Sequence, residues 1–273
     1  MLDKESFFIS LFDKKHIGDD GAVIGDMVYS KDLFCEDIHF KRSWMSLEQI
    51  AYKSMIINIS DAIVMNAKPL YALIGIKIPS TFTTDQMKEL SLGFLRASKE
   101  YNFEIIGGDT VAADKLDISI TIVSKSSNPT LRTHVKIGDL VAFTGDLGSV
   151  KKDLDRLLYG KSIDENSKFI TPKLKDNFFY ETAPYIHGAL DISDGLSKDL
   201  SRLSSLNSVG FEFFDKLNED ILCSGEEYEI LFTFDTKNLD RIIDIAKKHK
   251  TKLTIFAKVI AGSYKSECTE NHF

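Results

Sequence analysis

The first half of the chain alternates β-rich and helical text. Residues 27–34 (MVYSKDLF), 69–79 (PLYALIGIKIP) and 116–125 (LDISITIVSK) concentrate Ile, Val, Leu, Tyr and Thr, which suit a pleated surface, and predict strands. Residues 46–65 and 83–101 predict helices. In the first of these, Leu47, Ile50, Ala51, Met55, Ile59, Ala62 and Ile63 recur every three or four positions. That spacing places them in one buried stripe, and Ser46 offers an N-cap.

The second half starts over. A strand at 139–144 (DLVAFT) meets Gly145 and Gly148, and helices are expected from about 149, near 173–183, at 195–206 and at 236–250. Further strands are expected at 209–214, 227–234 and 252–260, with a short one ending in Asp191. The pattern predicts an α/β protein of two packed halves, each a sheet with flanking helices: residues 1–136 and 137–273. No Pro/Gly/Ser-rich linker separates them, so the cleft between them is the expected site.

Composition narrows the function classes. Hydrophobic residues make 43% of the 273 and charged residues 27%, so a disordered chain is excluded. The balance of 34 basic against 41 acidic residues gives a net charge of −7, which argues against a sequence-independent grip on nucleic acid. Cys35, Cys223 and Cys268 are too few and too scattered for a disulfide framework or a zinc site, and a reducing compartment fits them best. The acidic start lacks the features of a secretory signal, and Asp61 and Lys77 interrupt the most apolar stretches before they reach a membrane-spanning length, so a cytoplasmic protein is expected.

Seven aspartates sit beside glycines or at element ends within apolar text: Asp19 and Asp20 in IGDDGAVIG, Asp32, Asp61, Asp109 in IIGGDT, and Asp191 and Asp194 in ALDISDGL. Each has a local structural reading. Asp20 could sit in a turn, Asp109 in an Asx turn, and Asp194 could cap the helix that follows. Taken together they ask for more, because converging carboxylates repel unless cations or raised pKa values intervene. Asp61 is the sharpest case, an aspartate inside an apolar helix. Hard oxygen donors suit Mg²⁺, which takes a few carboxylates plus substrate phosphates, so a metal–nucleotide enzyme is expected.

The ordered set GDDGAV (18–23), a strand ending in Asp32 followed by EDIHF (36–40), NISDAIVMNAKP (58–69), IIGGDT (105–110), GDLVAFTGDLGS (138–149), DISDGLSKDL (191–200) and SGEEYEILF (224–232) resembles the thiamine-monophosphate kinase family. That family belongs with aminoimidazole ribonucleotide synthetase and selenophosphate synthetase in a superfamily of two-half, dimeric, ATP-dependent enzymes. The resemblance implies phosphorylation of thiamine monophosphate by ATP, a homodimer formed through the N-terminal sheet, and no partnership with nucleic acid or membrane. It implies magnesium ligands at Asp20, Ser30, Asp32, Asp61, Asp109, Asp191 and Asp194, with Asp19 beside them. It implies ATP contacts at Tyr101, Gly108, Asp109, Arg132 and Ser193, and substrate contacts at His39 and Glu226. No residue is expected to act as nucleophile or general base.

The chain departs from the family pattern in places. Lys31 stands where a second hydroxyl is usual, and would touch phosphate if anything. Ser224-Gly225 replace paired glycines, and Glu270 replaces an aromatic residue expected three places before the terminal Phe273. Gly145, Gly148 and Ser149 could set a helix N-terminus near phosphate, or simply make a strand-to-helix turn. Two alternatives stay open: another enzyme of the superfamily, and a non-catalytic nucleotide-binding protein. Selenophosphate synthetases carry a reactive Cys or selenocysteine in a glycine-rich N-terminal segment, and residues 1–20 contain no cysteine.

Overall fold

The computed structural model describes residues 4–13 and 15–268. In chain order the first half holds α1 (Lys4–Ile9), β1 (Ala22–Ile24), β2 (Met27–Cys35), α2 (Leu47–Val64), β3 (Lys68–Pro79), α3 (Thr84–Tyr101), β4 (Glu104–Ala113) and β5 (Asp117–Lys125). The second holds β6 (Leu140–Thr144), α4 (Ser149–Leu158), α5 (Asp176–Thr182), β7 (Ile186–Asp191), α6 (Leu196–Asn207), β8 (Val209–Phe213), α7 (Glu219–Cys223), β9 (Ile230–Phe234), α8 (Leu239–Lys248) and β10 (Leu253–Ala261).

These strands form two five-stranded sheets, ordered β1-β2-β5-β3-β4 and β7-β9-β6-β10-β8. Among the described strands only the β3–β4 pair is parallel, and α3 is its crossover. The fold class is therefore mixed α/β, as the alternating text predicts. One hydrophobic cluster contains residues of both halves, including Ile59 and Ile122 from the first and Phe178 and Phe232 from the second.

Helix α2 departs from its expected form. A capping box of Ser46 and Gln49 starts it, but its burial is not confined to one stripe, and residues from Ile50 through Ser60 are all buried. Strands β2 and β5 cover one side, α3 another, and β7 and α5 of the second half a third. A helix enclosed in this way has no wet face on which to spend polar residues, so those it carries need partners. At its side, Gly93 of α3 lets the two helices touch: a Cβ there would lie 2.1 Å from the Glu48 carbonyl oxygen and 2.7 Å from the Tyr52 nitrogen.

Several elements escape the sequence pattern. Strand β4 contains IIGGDT, whose paired glycines read as punctuation. Gly107 and Gly108 instead sit in the strand at positive φ (151° each), and a Cβ on Gly108 would lie 1.8 Å from the Ile74 carbonyl oxygen of β3. Strand β9 begins at Ile230 rather than 227, because Glu226 and Tyr228 adopt positive φ (54° and 50°) in a turn that cannot join a ladder. The cysteines also differ from the reduced set that was expected: Cys223 and Cys268 form a disulfide, and Cys35 is free. Among the described residues no helix is long and apolar enough to cross a membrane.

The α2–α3 contact gives a stability test. Gly93→Ala is expected to destabilise the protein by about 2 kcal/mol, because backbone rather than a flexible side chain must yield. In urea unfolding the midpoint should fall with the slope unchanged.

Candidate active site

Alternation along β2 puts Ser30, Asp32 and Phe34 on the face covered by α2, and Lys31 and Leu33 on the other. Asp61 projects from α2 at the one point in its second half where burial is incomplete. Asp191 ends β7, and Asp20 lies in the loop before β1. The folding of these separate segments brings one carboxylate oxygen each from Asp20, Asp61 and Asp191 within 4.8 Å of one another. Asp32 lies beside Asp61.

Nearby polar groups fix these side chains. Ser60 Oγ donates to Asp191 Oδ2 at 2.7 Å, and Arg132 grips Asp20 through Nε (3.1 Å to Oδ2) and Nη2. The Arg132 backbone N–H donates to Asp19 Oδ1 at 2.6 Å, so both members of the Asp-Asp pair are engaged by one residue. Ser30 is buried, and its Oγ donates to Asn58 Oδ1 at 2.6 Å.

The electrostatics follow from burial. Desolvation first, and then the neighbouring carboxylates, push Asp61 and Asp191 well above the ordinary carboxylate range. Asp32 is pushed up to about 6, with burial the main cause. Burial opposes the charge of Arg132, but Asp20 more than offsets it, and the guanidinium pKa rises. Four carboxylates facing one paired arginine, with oxygen donors only, make a set that a hard divalent cation fits.

Other residues singled out by the sequence lie around this centre. Ser193 follows β7, and its carbonyl accepts from the Glu226 N–H at 2.7 Å, while Tyr228 N–H donates to the Ile192 carbonyl at 2.9 Å. Glu226 is thereby tied to the Asp191 segment, and its Oε2 accepts from Lys53 Nζ at 2.6 Å. Asp194 pairs with Arg202, and Gly195 rather than Asp194 takes the N-cap position of α6. His39 Nδ1 accepts from the Cys35 backbone N–H at 3.0 Å, which puts the proton of a neutral ring on Nε2.

Some are held apart. Gly108 and Asp109 lie on β4, an edge strand with β3 and β5 between it and β2, and Asp109 is exposed, paired in register with Gly75. Tyr101 ends α3 beside Tyr52, Leu174 and Asp176. Lys31 turns to the opposite face and donates to Ser119 Oγ at 2.6 Å, away from the carboxylates. The α4 N-terminus is taken by the protein itself: Glu227 Oε1 accepts from Gly148 N–H at 2.7 Å and Val150 N–H at 3.3 Å. Glu270 lies outside the described residues.

Residues 18–125 match the N-terminal domain of AIR synthase related proteins. Over 255 residues the chain is 31% identical to the thiamine-monophosphate kinase of Pyrococcus horikoshii, covering 86% of this chain and 82% of the relative. It is 33% identical to that of Rhodopirellula baltica over 248 residues, covering 79% and 74%. The chain belongs to the thiamine-monophosphate kinase family. It is accordingly a phosphotransferase. Its fold superposes on a solved structure, AaThiL complexed with AMPPCP and TMP, with a TM-score of 0.88 at 25% identity, covering 100% of this chain and 99% of the other.

Two buried charged residues near this centre were missed by sequence reasoning. Lys53 is a charge inside the same apolar helix as Asp61 and carried the same signal two turns earlier. Asp199, in DISDGLSKDL, is fully buried beside Arg202 (2.9 Å), with Oδ2 unpaired. Burial first of all pushes its pKa up to about 7.

These raised values set a pH dependence. Between about pH 4, where an unfolded carboxylate ionises, and about 6 to 7 for Asp32 and Asp199, the folded chain binds more protons than the unfolded one. Stability must therefore fall as pH rises through that window. Chelator-treated protein is expected to melt at a lower temperature at about pH 7 than at about pH 5, and MgCl₂ should raise the melting point more at the higher pH, where protons no longer compete. A melting point that climbs across this window without metal would contradict the assignment.

Proposed function

We infer that the chain transfers the γ-phosphoryl group of ATP to the phosphate of thiamine monophosphate, forming thiamine diphosphate. The observation that carries this reading is the convergence of Asp20, Asp61 and Asp191 within 4.8 Å, next to the segment that holds Glu226. Asp32 completes the acidic centre, with Ser30 and Asp194 as further candidate ligands, while Asp109 on the edge strand β4 stands apart from it in the single chain. Bound there, Mg²⁺ would neutralise phosphate oxygens and favour their alignment.

The protein's own residues do the rest. Arg132 has a planar fork suited to phosphate as well as to the Asp20 carboxylate it now grips. Ser193 is a further ATP contact in this reading, whereas Gly108 and Tyr101 stand apart from the cluster in the single chain. His39 and Glu226 are the substrate contacts in this reading, with Glu226 accepting from the organic part. The acceptor is already an anionic phosphate oxygen, so no base has to remove a tightly held proton, and direct in-line transfer needs chiefly alignment and charge neutralisation.

Turnover tests the reading directly. The protein with ATP, Mg²⁺ and thiamine monophosphate should yield thiamine diphosphate, and thiamine itself should not be phosphorylated because it lacks the acceptor phosphate. Asp61→Asn should lower kcat by at least about 10²-fold, the scale of losing a key electrostatic group, without lowering the melting temperature of the metal-free protein. Near-full turnover by Asp61→Asn, or efficient use of thiamine, would overturn the assignment.

A homodimer belongs to the same reading. The outer face of the first sheet exposes Tyr29, Leu33, Tyr71 and Leu73, and the edge strand β4 exposes Ile106 and Val111. A second copy would cover this apolar face and its open edge. Sedimentation at micromolar concentration should give a dimer for the wild type and a monomer for the Leu33→Glu, Tyr71→Glu double variant.

A further inference from the structure

Lys53 is a lysine with no exposed side-chain surface. Taking an ammonium out of water costs several kcal/mol unless partners replace its hydration. The partners are specific. Nζ lies 2.6 Å from Glu226 Oε2, and 4.2 Å and 5.7 Å from the ring centroids of Phe169 and Phe34. Two aromatic faces and one carboxylate thus hold the charge.

Glu226 needs such a partner. Its φ of 54° lies in the left-handed region, which strains a non-glycine residue and persists only where surroundings dictate it. Its backbone is fastened to Ser193, yet a backbone bond alone does not aim a side chain with three torsions. Lys53 does: it arrives from α2 in the opposite half and takes one carboxylate oxygen, while the Glu226 side chain keeps 20% of its surface exposed.

We propose that Lys53 is a positioning residue that holds Glu226 Oε2, leaving the rest of the carboxylate to accept a hydrogen bond from the substrate's aminopyrimidine. This rests on the reading of the site as one for thiamine monophosphate. It also sharpens that reading. A carboxylate already neutralised by a lysine at 2.6 Å is a poor counter-charge for the thiazolium ring. Glu226 therefore discriminates by accepting a hydrogen bond, and it selects for a donor on the substrate rather than for positive charge. Being fully buried, Lys53 itself does not reach the substrate.

Steady-state kinetics on four proteins test this: wild type, Lys53→Met, Glu226→Gln and the double variant. Methionine fits the aromatic slot without charge. Lys53→Met should raise the KM for thiamine monophosphate about tenfold, equivalent to about 1.4 kcal/mol, and shift kcat and the KM for ATP much less. In the Glu226→Gln background the same change should add little, because its partner's charge has already gone. Should Lys53→Met fail to melt cooperatively, Lys53→Gln serves in the same cycle. An unchanged KM for thiamine monophosphate, or an equal rise in both backgrounds, overturns the inference while wild-type turnover upholds the activity. A wild type that does not phosphorylate thiamine monophosphate overturns the activity reading first, and the inference with it.

Discussion

Like-charge repulsion between buried carboxylates is the constraint on which the rest of the structure depends. Asp20, Asp32, Asp61 and Asp191 come from a loop, a strand, a helix and a strand end, and for Asp32, Asp61 and Asp191 burial disfavours the charge before mutual repulsion is counted. Such a centre persists only if the surrounding fold is stiff enough to prevent it from spreading. Helix α2 supplies that stiffness, and its enclosure on three sides is the structural expression of it. Its polar residues serve the site in sequence order: Lys53 to Glu226, Asn58 to Ser30, Ser60 to Asp191, and Asp61 as a member of the cluster itself.

The second half meets α2 with one paired unit. Residues 191–193 and 226–229 are zipped by backbone hydrogen bonds, so the acidic centre and Glu226 cannot move independently. Behind that unit Glu227 binds the start of α4, Lys168 bridges Glu227 and Glu229 at 3.1 and 2.8 Å, and Thr144 donates to Glu229 at 2.6 Å. Gly145 is required there, since a Cβ would lie 2.0 Å from Glu229 Oε1. Gly145 thus makes room for Glu229, Gly148 lies against Asp220 while its N–H donates to Glu227, and the helix N-terminus is closed by the chain's own carboxylate.

Most of the fold was legible because its strands and helices carry clean periodicity. The exceptions have physical causes. Strand β4 was hidden because two glycines in it permit close backbone approach rather than marking a turn, and β9 was overextended because the apolar text of 227–234 does not reveal positive φ at Tyr228. The site was legible where a charge stood in apolar text, as at Asp61. Lys53 carried that same signal and was passed over, whereas Asp199 stands in polar text, where an aspartate on a helix usually faces water and only tertiary packing shows that it does not. Long-range facts, such as Asp109 lying on an edge strand or Cys223 reaching Cys268, depend on topology that local pattern does not encode.

The histidines show how chemistry and architecture part company. Asp139 and His187 form a carboxylate–imidazole pair at 2.9 Å that looks like half of a proton relay. Both ring nitrogens are committed, however: Nδ1–H donates to Asp139, and Nε2 accepts from Lys136 Nζ at 3.2 Å, while Asp139 Oδ2 also accepts the Lys136 backbone N–H at 3.0 Å. That closed circuit fastens the start of β6. His39 is held differently, its Nδ1 accepting from the Cys35 backbone N–H. In the proposed reaction the acceptor is already an anionic phosphate oxygen, so the Asp139–His187 pair is not needed for proton removal and serves the structure instead.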